Sequence, residues 1–154
     1  MHHTAILRPP APTFAAGITT AGLGRPDYEK ALAQHRAYGE ALQQCGLELI
    51  LLDADDRYPD SCFVEDTAIV MEELAILCRP GAASRRGEVA AVAEVLAEFR
   101  PIATIKPPGT VDGGMSCGWA TTSTSAGPNG PTRRGRGSWP VFCLMVDILP
   151  PRSR

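Results

Sequence analysis

Two dipeptides, Arg25-Pro26 and Arg79-Pro80, lie 54 residues apart, and each is followed by a stretch of helical spacing and then a short apolar run. A pattern recurring in this way reads as one supersecondary unit used twice. Such a unit cannot bury its apolar faces alone and needs neighbours. The repeat therefore commits the chain to an α/β arrangement of stacked units. It also predicts the opening of a larger repeated architecture rather than a closed domain.

The elements follow from local chemistry. Thr4 to Leu7 is a short apolar strand candidate, stopped by Pro9, Pro10 and Pro12. Asp27 stands where an N-cap belongs, and Tyr28, Leu32, Tyr38, Leu42 and Cys45 recur near helical spacing up to Gly46, placed as the residue past the helix end. Leu47 to Leu52 suits a buried strand, and Asp53 to Asp60 an acidic loop. Cys62 to Met71 and Leu74 to Cys78 read as a hairpin around Glu72-Glu73. Ser84 is expected to cap a second helix with Val89, Val92, Leu96 and Phe99 on its apolar face. Pro101 ends that helix, Ile102 to Ile105 gives another strand, and a Pro-Gly loop runs to Gly114.

Charge divides the chain at that point. Ten of the fifteen Lys and Arg, and sixteen of the seventeen Asp and Glu, fall in residues 1–114, a balance of −6. Residues 115–154 hold five Arg against Asp147 alone, a balance of +4. They are rich in Gly, Pro, Ser and Thr and show no periodicity. The chain is thus expected to be an ordered part, 1–114, and an irregular tail, 115–154. With 44% hydrophobic residues and a net charge of −2, nucleic-acid and membrane-surface binding are not expected. No apolar run reaches the roughly 20 residues that span a bilayer, and residues 1–4 lack the regions of a signal peptide, so the cytoplasm is the expected compartment. The five cysteines form no C-x-x-C pair. Cys45, Cys62 and Cys78 are expected to be reduced and buried.

The stretch from Tyr58 to Thr67 carries the chemistry. Asp60, Glu65 and Asp66 gather three carboxylates at a loop-to-strand junction. Strand alternation would send Phe63 and Glu65 to one face and Asp66 to the other. An inward acid is costly to bury without a partner. Paired carboxylates can accept a planar guanidinium bidentately. The same residues also suit a solvated acidic loop leading to an edge strand. Arg85 and Arg86, in the expected first turn of the second helix, oppose its dipole. Either they bind a carboxylate near the helix N-terminus, or they form a solvated pair facing Glu88.

Pro59-Asp60-Ser61-x-Phe63-Val64-Glu65-Asp66, followed by Arg79-Pro80-Gly81-Ala82-x-Ser84-Arg85-Arg86-x-Glu88, closely resembles the dimethylarginine dimethylaminohydrolases, or dimethylargininases. Leu23 to Tyr28 and Pro108 to Gly114 match as well, so the resemblance covers residues 4–114. It implies a partial pentein α/β-propeller, about two of five ββαβ units. It implies that Asp60, Glu65 and Asp66 bind the guanidinium and nearby amino groups of a methylated arginine, and that Arg85 binds its α-carboxylate. Ile18 matches a lid position, and Asp112 an acid that orients the catalytic histidine.

In the family a cysteine thiolate attacks the guanidinium carbon, a histidine protonates the departing amine, and water releases citrulline from the thiouronium. No metal or organic cofactor is implied. The implied partner is a small molecule, methylated arginine or a relative of it, with self-association through exposed sheet edges.

The family's catalytic cysteine and histidine lie beyond Gly114, and neither has a match here. His2, His3 and His35 are the histidines, the last on an expected surface helix. Cys62 has no histidine partner in sequence. The chain is therefore expected to be inactive. A non-catalytic arginine-binding fragment is the alternative, and a third reading makes Arg133, Arg134 and Arg136 a basic patch for nucleic acid or an acidic partner.

The tail has a concrete origin in this comparison. Met115 to Ala126, written with one choice of codons and preceded by a single G, reads in the shifted frame as DVLRVGDHFYVG. That is two apolar runs around a Gly-Asp turn, the hairpin the resemblance implies after Gly114. A lost nucleotide near Gly114 would make the tail an out-of-frame translation. Sequencing the coding DNA across Gly114 checks this. The expected result is a missing base, with a histidine and a cysteine following in the restored frame, and an unbroken frame as written contradicts it.

Overall fold

The computed structural model describes residues 4–20, 22, 24–115 and 143–146. Among the described residues there are two three-stranded sheets and two α-helices. Strand β1 (Thr4–Leu7) leads through a 3-10 turn at Pro12–Ala16 to helix α1 (Tyr28–Gln44) and strand β2 (Glu48–Leu51). A second 3-10 turn at Val64–Asp66 precedes β3 (Ala68–Val70) and β4 (Ala75–Leu77). A third, at Ala83–Arg85, precedes α2 (Val89–Phe99) and β5 (Ile102–Thr104). The last described strand is β6 (Cys143–Val146).

The two sheets share one plan. β4 is central in its sheet, antiparallel to β3 and parallel to β5, and α2 makes the crossover. β1 is central in the other, parallel to β2 across α1 and antiparallel to β6. The hydrogen-bond register matches as well: the Leu52 N–H donates to the Leu7 carbonyl at 2.8 Å and the Ile105 N–H to the Leu77 carbonyl at 3.1 Å. The repeat expected from the sequence is thus a pair of units, β1-α1-β2 and β3-β4-α2-β5.

Part of the expected irregular tail departs from that expectation, because Cys143–Val146 pairs with β1 from Leu7↔Cys143 to Thr4↔Val146. Its physical basis is plain: β1 offers an edge of unpaired N–H and C=O groups, and the tail holds one apolar run, Val141 to Val146, able to take them. The other residues of 116–154, with Arg133, Arg134 and Arg136, lie outside the described residues.

Alternation along β1 sends Ala5 and Leu7 to Leu42 of α1, with Tyr38, Leu47 and Leu49 around them. Ile6 points the other way. It joins Val64, Ala68, Ala75, Leu77, Val92 and Leu96 in a core that ties the two units together. Both ends of α1 behave as expected: the Asp27 carboxylate accepts from the Lys30 N–H at 3.0 Å, and Gly46 takes a φ of +86° past the C-terminus.

Four local expectations are corrected. Residues 62–67 are turns and 3-10 helix rather than strand, so the β-strand begins only at Ala68. Ser84 does not cap α2, which starts at Val89 after a separate 3-10 turn. His35 is buried on α1 instead of lying on its surface. Cys62 and Cys78 are buried thiols, whereas Cys45 is exposed at the end of α1. No helix among the described residues is long and apolar enough to cross a membrane.

Candidate functional site

The turn at residues 60–66 gathers the acids. Ser61 donates its N–H to the Tyr58 carbonyl at 3.0 Å, Phe63 to Asp60 at 3.0 Å and Asp66 to Phe63 at 3.2 Å. Three successive tight turns thus wind Asp60, Glu65 and Asp66 round one small knot of backbone. Strand alternation does not apply there, and Glu65 and Asp66 occupy consecutive positions of the same 3-10 turn.

Each acid has a distinct environment. Asp60 is buried, and both its oxygens accept from the Ile18 N–H, at 3.1 and 3.0 Å. This ties the loop carrying Ile18 to the acid turn while the Ile18 side chain remains 60% exposed. Gly17 makes the approach feasible, because a Cβ there would collide with the Asp60 carboxylate. Asp66 accepts from Arg85 Nη1 at 2.8 Å with one oxygen and from the Gly114 N–H at 3.2 Å with the other. Glu65 is held differently: its Oε2 is buried and finds no hydrogen-bond partner among the described residues. Burial first, and the charge of Asp66 second, push its carboxyl up to about 8.

Arg85 lies at the centre of this arrangement. Its Nε donates to both oxygens of Glu88 at 3.2 and 3.1 Å, and Nη2 donates to Glu88 at 2.9 Å and to the Asp60 carbonyl at 3.3 Å. With Asp66 on Nη1, four of its five N–H groups have acceptors. Its guanidinium carbon lies 6.0 Å from the ring centroid of Phe63, which in turn packs against Phe14. Burial draws the Arg85 pKa down, but the hydrogen bonds and charges of Glu88 and Asp66 outweigh it, and the net shift is upward. Arg85 therefore stays charged.

Glu88, 1% exposed, has its own carboxyl raised by burial, with Arg85 opposing that rise. In the sequence Glu88 stands out only as the acid that a solvated Arg85–Arg86 pair would face. The i, i+3 spacing to Arg85 was the available signal, and its burial was not legible. Arg86 instead reaches the Pro80 carbonyl with Nε at 3.2 Å.

Asp112 stands on the loop that closes over the acid turn, and its Oδ2 accepts from the Gly81 N–H at 3.5 Å. The loop continues to Gly114, whose N–H reaches Asp66. The structure thus brings Ile18, Asp60, Glu65, Asp66 and Arg85 into one connected set, with Asp112 attached through its loop. Cys62 adjoins this set but is fully buried, and burial, then Glu65 and Asp60, push its thiol up to about 12. Such a thiol supplies almost no thiolate near neutral pH.

The known proteins that resemble this chain include dimethylarginine dimethylaminohydrolases. The family model described as N,N dimethylarginine dimethylhydrolase, eukaryotic, matches residues 25–106. The N(G),N(G)-dimethylarginine dimethylaminohydrolase of Pseudomonas aeruginosa is 48% identical over 111 residues, covering 71% of this chain and 44% of that protein. The enzyme of the same name from Streptomyces coelicolor is 42% identical over 112 residues, covering 71% and 43%. A solved structure of the Pseudomonas aeruginosa enzyme, a cysteine-to-serine mutant complexed with citrulline, aligns with a TM-score of 0.72 at 46% identity, over 74% of this chain and 46% of that one.

The chain belongs to the dimethylarginine dimethylaminohydrolase family, and its fold is part of the pentein α/β-propeller, as expected. It spans less than half the length of the curated relatives it matches.

The Glu65 environment has a pH consequence. A carboxyl held near 8 in the fold but near 4.5 in the unfolded chain keeps its proton longer when folded. Between those values the folded state binds more protons, so stability falls as pH rises. Urea midpoints at pH 5 and pH 8 should show a larger fall for the wild type than for Glu65→Gln. Equal falls would mean that Glu65 is not held in its neutral form.

Proposed function

We propose that this protein is the N-terminal part of a dimethylargininase-type hydrolase, carrying the portion of the site that recognises an N-ω-methylated arginine. The observation that supports this most directly is the buried, unpartnered Glu65 oxygen beside Asp60 and Asp66. An acceptor in that position costs free energy until a donor arrives, and a guanidinium supplies forked N–H donors matched to carboxylates, its charge drawing the proton off Glu65 as it binds. Asp60, Glu65 and Asp66 take the guanidinium and amino groups in this proposal, with Ile18 closing over the ligand from its loop.

The proposed contact of Arg85 with the ligand's α-carboxylate is limited by geometry. One Nη1 hydrogen is left over once Glu88, Asp66 and the Asp60 carbonyl are served. A single charge-assisted hydrogen bond is therefore the contact we propose, rather than a bidentate clamp.

Turnover is a separate matter. The reaction needs an ionised thiol to attack the guanidinium carbon and an acid to protonate the leaving amine. Cys62 is buried and un-ionised near neutral pH, and His35 is buried on α1, where burial lowers its pKa. We propose that both catalytic groups, and the acid–base role that Asp112 would support, belong to sequence encoded beyond Gly114 in the restored frame. The 154-residue chain is then a ligand-binding part without chemistry, in the cytoplasm. A non-catalytic arginine-binding fragment uses the same residues, and citrulline formation by a chain restored to full length separates the two.

Calorimetric titration with N,N-dimethylarginine tests the recognition. Binding to the 154-residue chain without citrulline release is expected. Asp66→Asn should weaken it by about tenfold or more, since a hydrogen bond to a charged group is worth roughly 1.5–3 kcal/mol. No binding would sink the proposed site, and citrulline release by this chain would sink its inactivity.

A further inference from the structure

Each unit follows its central strand with a 3-10 turn, and the two turns are built alike. After β1, Ala11 is the extended N-cap of the turn at Pro12–Ala16. The Phe14 N–H donates to the Ala11 carbonyl at 2.8 Å, and the Gly17 N–H to the Phe14 carbonyl at 3.1 Å. After β4, Ala82 is the extended N-cap of the turn at Ala83–Arg85. There the Arg85 N–H donates to the Ala82 carbonyl and the Glu88 N–H to the Arg85 carbonyl, both at 3.1 Å. These bonds set Phe14 equivalent to Arg85 and Gly17 equivalent to Glu88. Both turns also meet the same ring: the Phe14 ring centroid lies 6.5 Å from that of Phe63, and the Arg85 guanidinium carbon 6.0 Å.

At the Glu88 position the first unit therefore has no side chain. Gly17 has a φ of −60° and a ψ of 162°, extended backbone that any residue adopts, so its conformation does not call for glycine. Space does, because a Cβ on Gly17 would stand 2.4 Å from Asp60 Oδ1 and 3.2 Å from Asp60 Cγ. In the second unit the carboxylate beside the turn comes from the turn's own end, as Glu88 on Arg85. In the first it comes from the acid turn, as Asp60, whose two oxygens accept from the Ile18 N–H at 3.1 and 3.0 Å.

Burial does not hold this segment in place. No residue of Pro12–Ala16 is buried, and the Ile18 side chain is 60% exposed. The ring contact of Phe14 and the bond from Thr13 Oγ1 to the Asp56 carbonyl at 3.1 Å are neutral interactions. A bond to a carboxylate is roughly twice as strong as a neutral one, so the Asp60 contact is the firmest of these holds.

We propose that Gly17 is a positioning residue of the ligand site. By leaving room for the Asp60 carboxylate it lets the Ile18 N–H dock on the acid turn, and that contact fixes where Ile18 stands over the acids. The role in binding rests on the reading of Asp60, Glu65 and Asp66 as the recognition site for a methylated arginine. Loop and ligand then share one carboxylate, so a side chain at position 17 costs affinity while every acid stays in place.

A cycle of Gly17→Ala, Asp60→Ala and the double variant, read by native-state amide exchange at Ile18 in the 154-residue chain, tests the docking. Gly17→Ala should speed Ile18 exchange by about tenfold or more when Asp60 is present, the loss of one bond to a charged group. In the Asp60→Ala background it should do far less, because the contact is already gone. The Leu52 amide reports on folding, and Asp60→Ser replaces Asp60→Ala if Leu52 loses its protection. An equal effect of Gly17→Ala in both backgrounds, or none in either, would overturn the proposal, since a general loosening of the turn does not depend on Asp60. Calorimetry with N,N-dimethylarginine tests the consequence, with a dissociation constant about tenfold higher expected for Gly17→Ala than for the wild type. Equal affinities would overturn the positioning role. A wild type that binds nothing would instead overturn the recognition reading, and the role in binding with it, while the exchange cycle still decides the docking contact.

Discussion

A cation inside a small fold needs acceptors on every side it presents, and in this protein the demands of Arg85 organise the acid turn. Its side chain is 13% exposed, with Glu88, Asp66 and the Asp60 carbonyl around it. Removing one member of a buried ion pair strands the other charge, at a typical cost of about 3–5 kcal/mol. The turns at 60–66 and 83–85, which lie on either side of β3 and β4, are therefore coupled through one guanidinium. The 112–114 loop joins through the Gly114 N–H on Asp66, and the Ile18 loop through its N–H on Asp60. Everything proposed to touch a ligand hangs from this network, and one oxygen of Glu65 has no partner in it among the described residues.

Much of the scaffold was legible because it obeys local rules. The Asp27 cap, the left-handed Gly46 and the helix–strand repeat each follow from backbone chemistry that the sequence states directly. The site was legible in identity but not in shape. Phe63, Val64 and Thr67 carry high strand preference, yet residues 61–66 wind into tight turns because Arg85, nineteen positions beyond Asp66, draws the carboxylates and the Asp60 carbonyl together. Tertiary charge pairing overrode a propensity worth at most about 1 kcal/mol. Ser84 failed as a cap for a related reason: a 3-10 turn at Ala83–Arg85 aims Arg85 at the acids before α2 begins. Arg85 therefore does not stand in the first turn of that helix, and the dipole conflict read from the sequence does not arise.

The repeat explains both what the chain contains and how it meets its own tail. Unit two is complete in sequence order, β3-β4-α2-β5. In unit one the central strand β1 takes its antiparallel neighbour from Cys143–Val146. A short apolar run suffices for that role, since a strand edge selects for backbone and apolar character more than for particular side chains. A tail of foreign composition can thus supply β6 without belonging to the domain that ends near Gly114, which is the boundary we propose. The relatives are more than twice as long as the stretch they share with this chain. On our account their remaining units supply the thiolate and the acid, while the recognition elements sit in the part conserved in this chain's fold.

The central claim is that Arg85 holds the acid turn in its binding shape, and native-state amide exchange on the wild type and on Arg85→Met tests it most directly. The amides of Ser61, Phe63 and Asp66 report on the turn, and that of Leu52, bonded to the Leu7 carbonyl, reports on the distant sheet. The account predicts that Arg85→Met speeds exchange at the three turn amides by about tenfold or more, some 1.4 kcal/mol of local protection, with Leu52 changed far less. Turn amides that keep their protection in the variant would contradict it, and the acid cluster would then be shaped by its backbone alone.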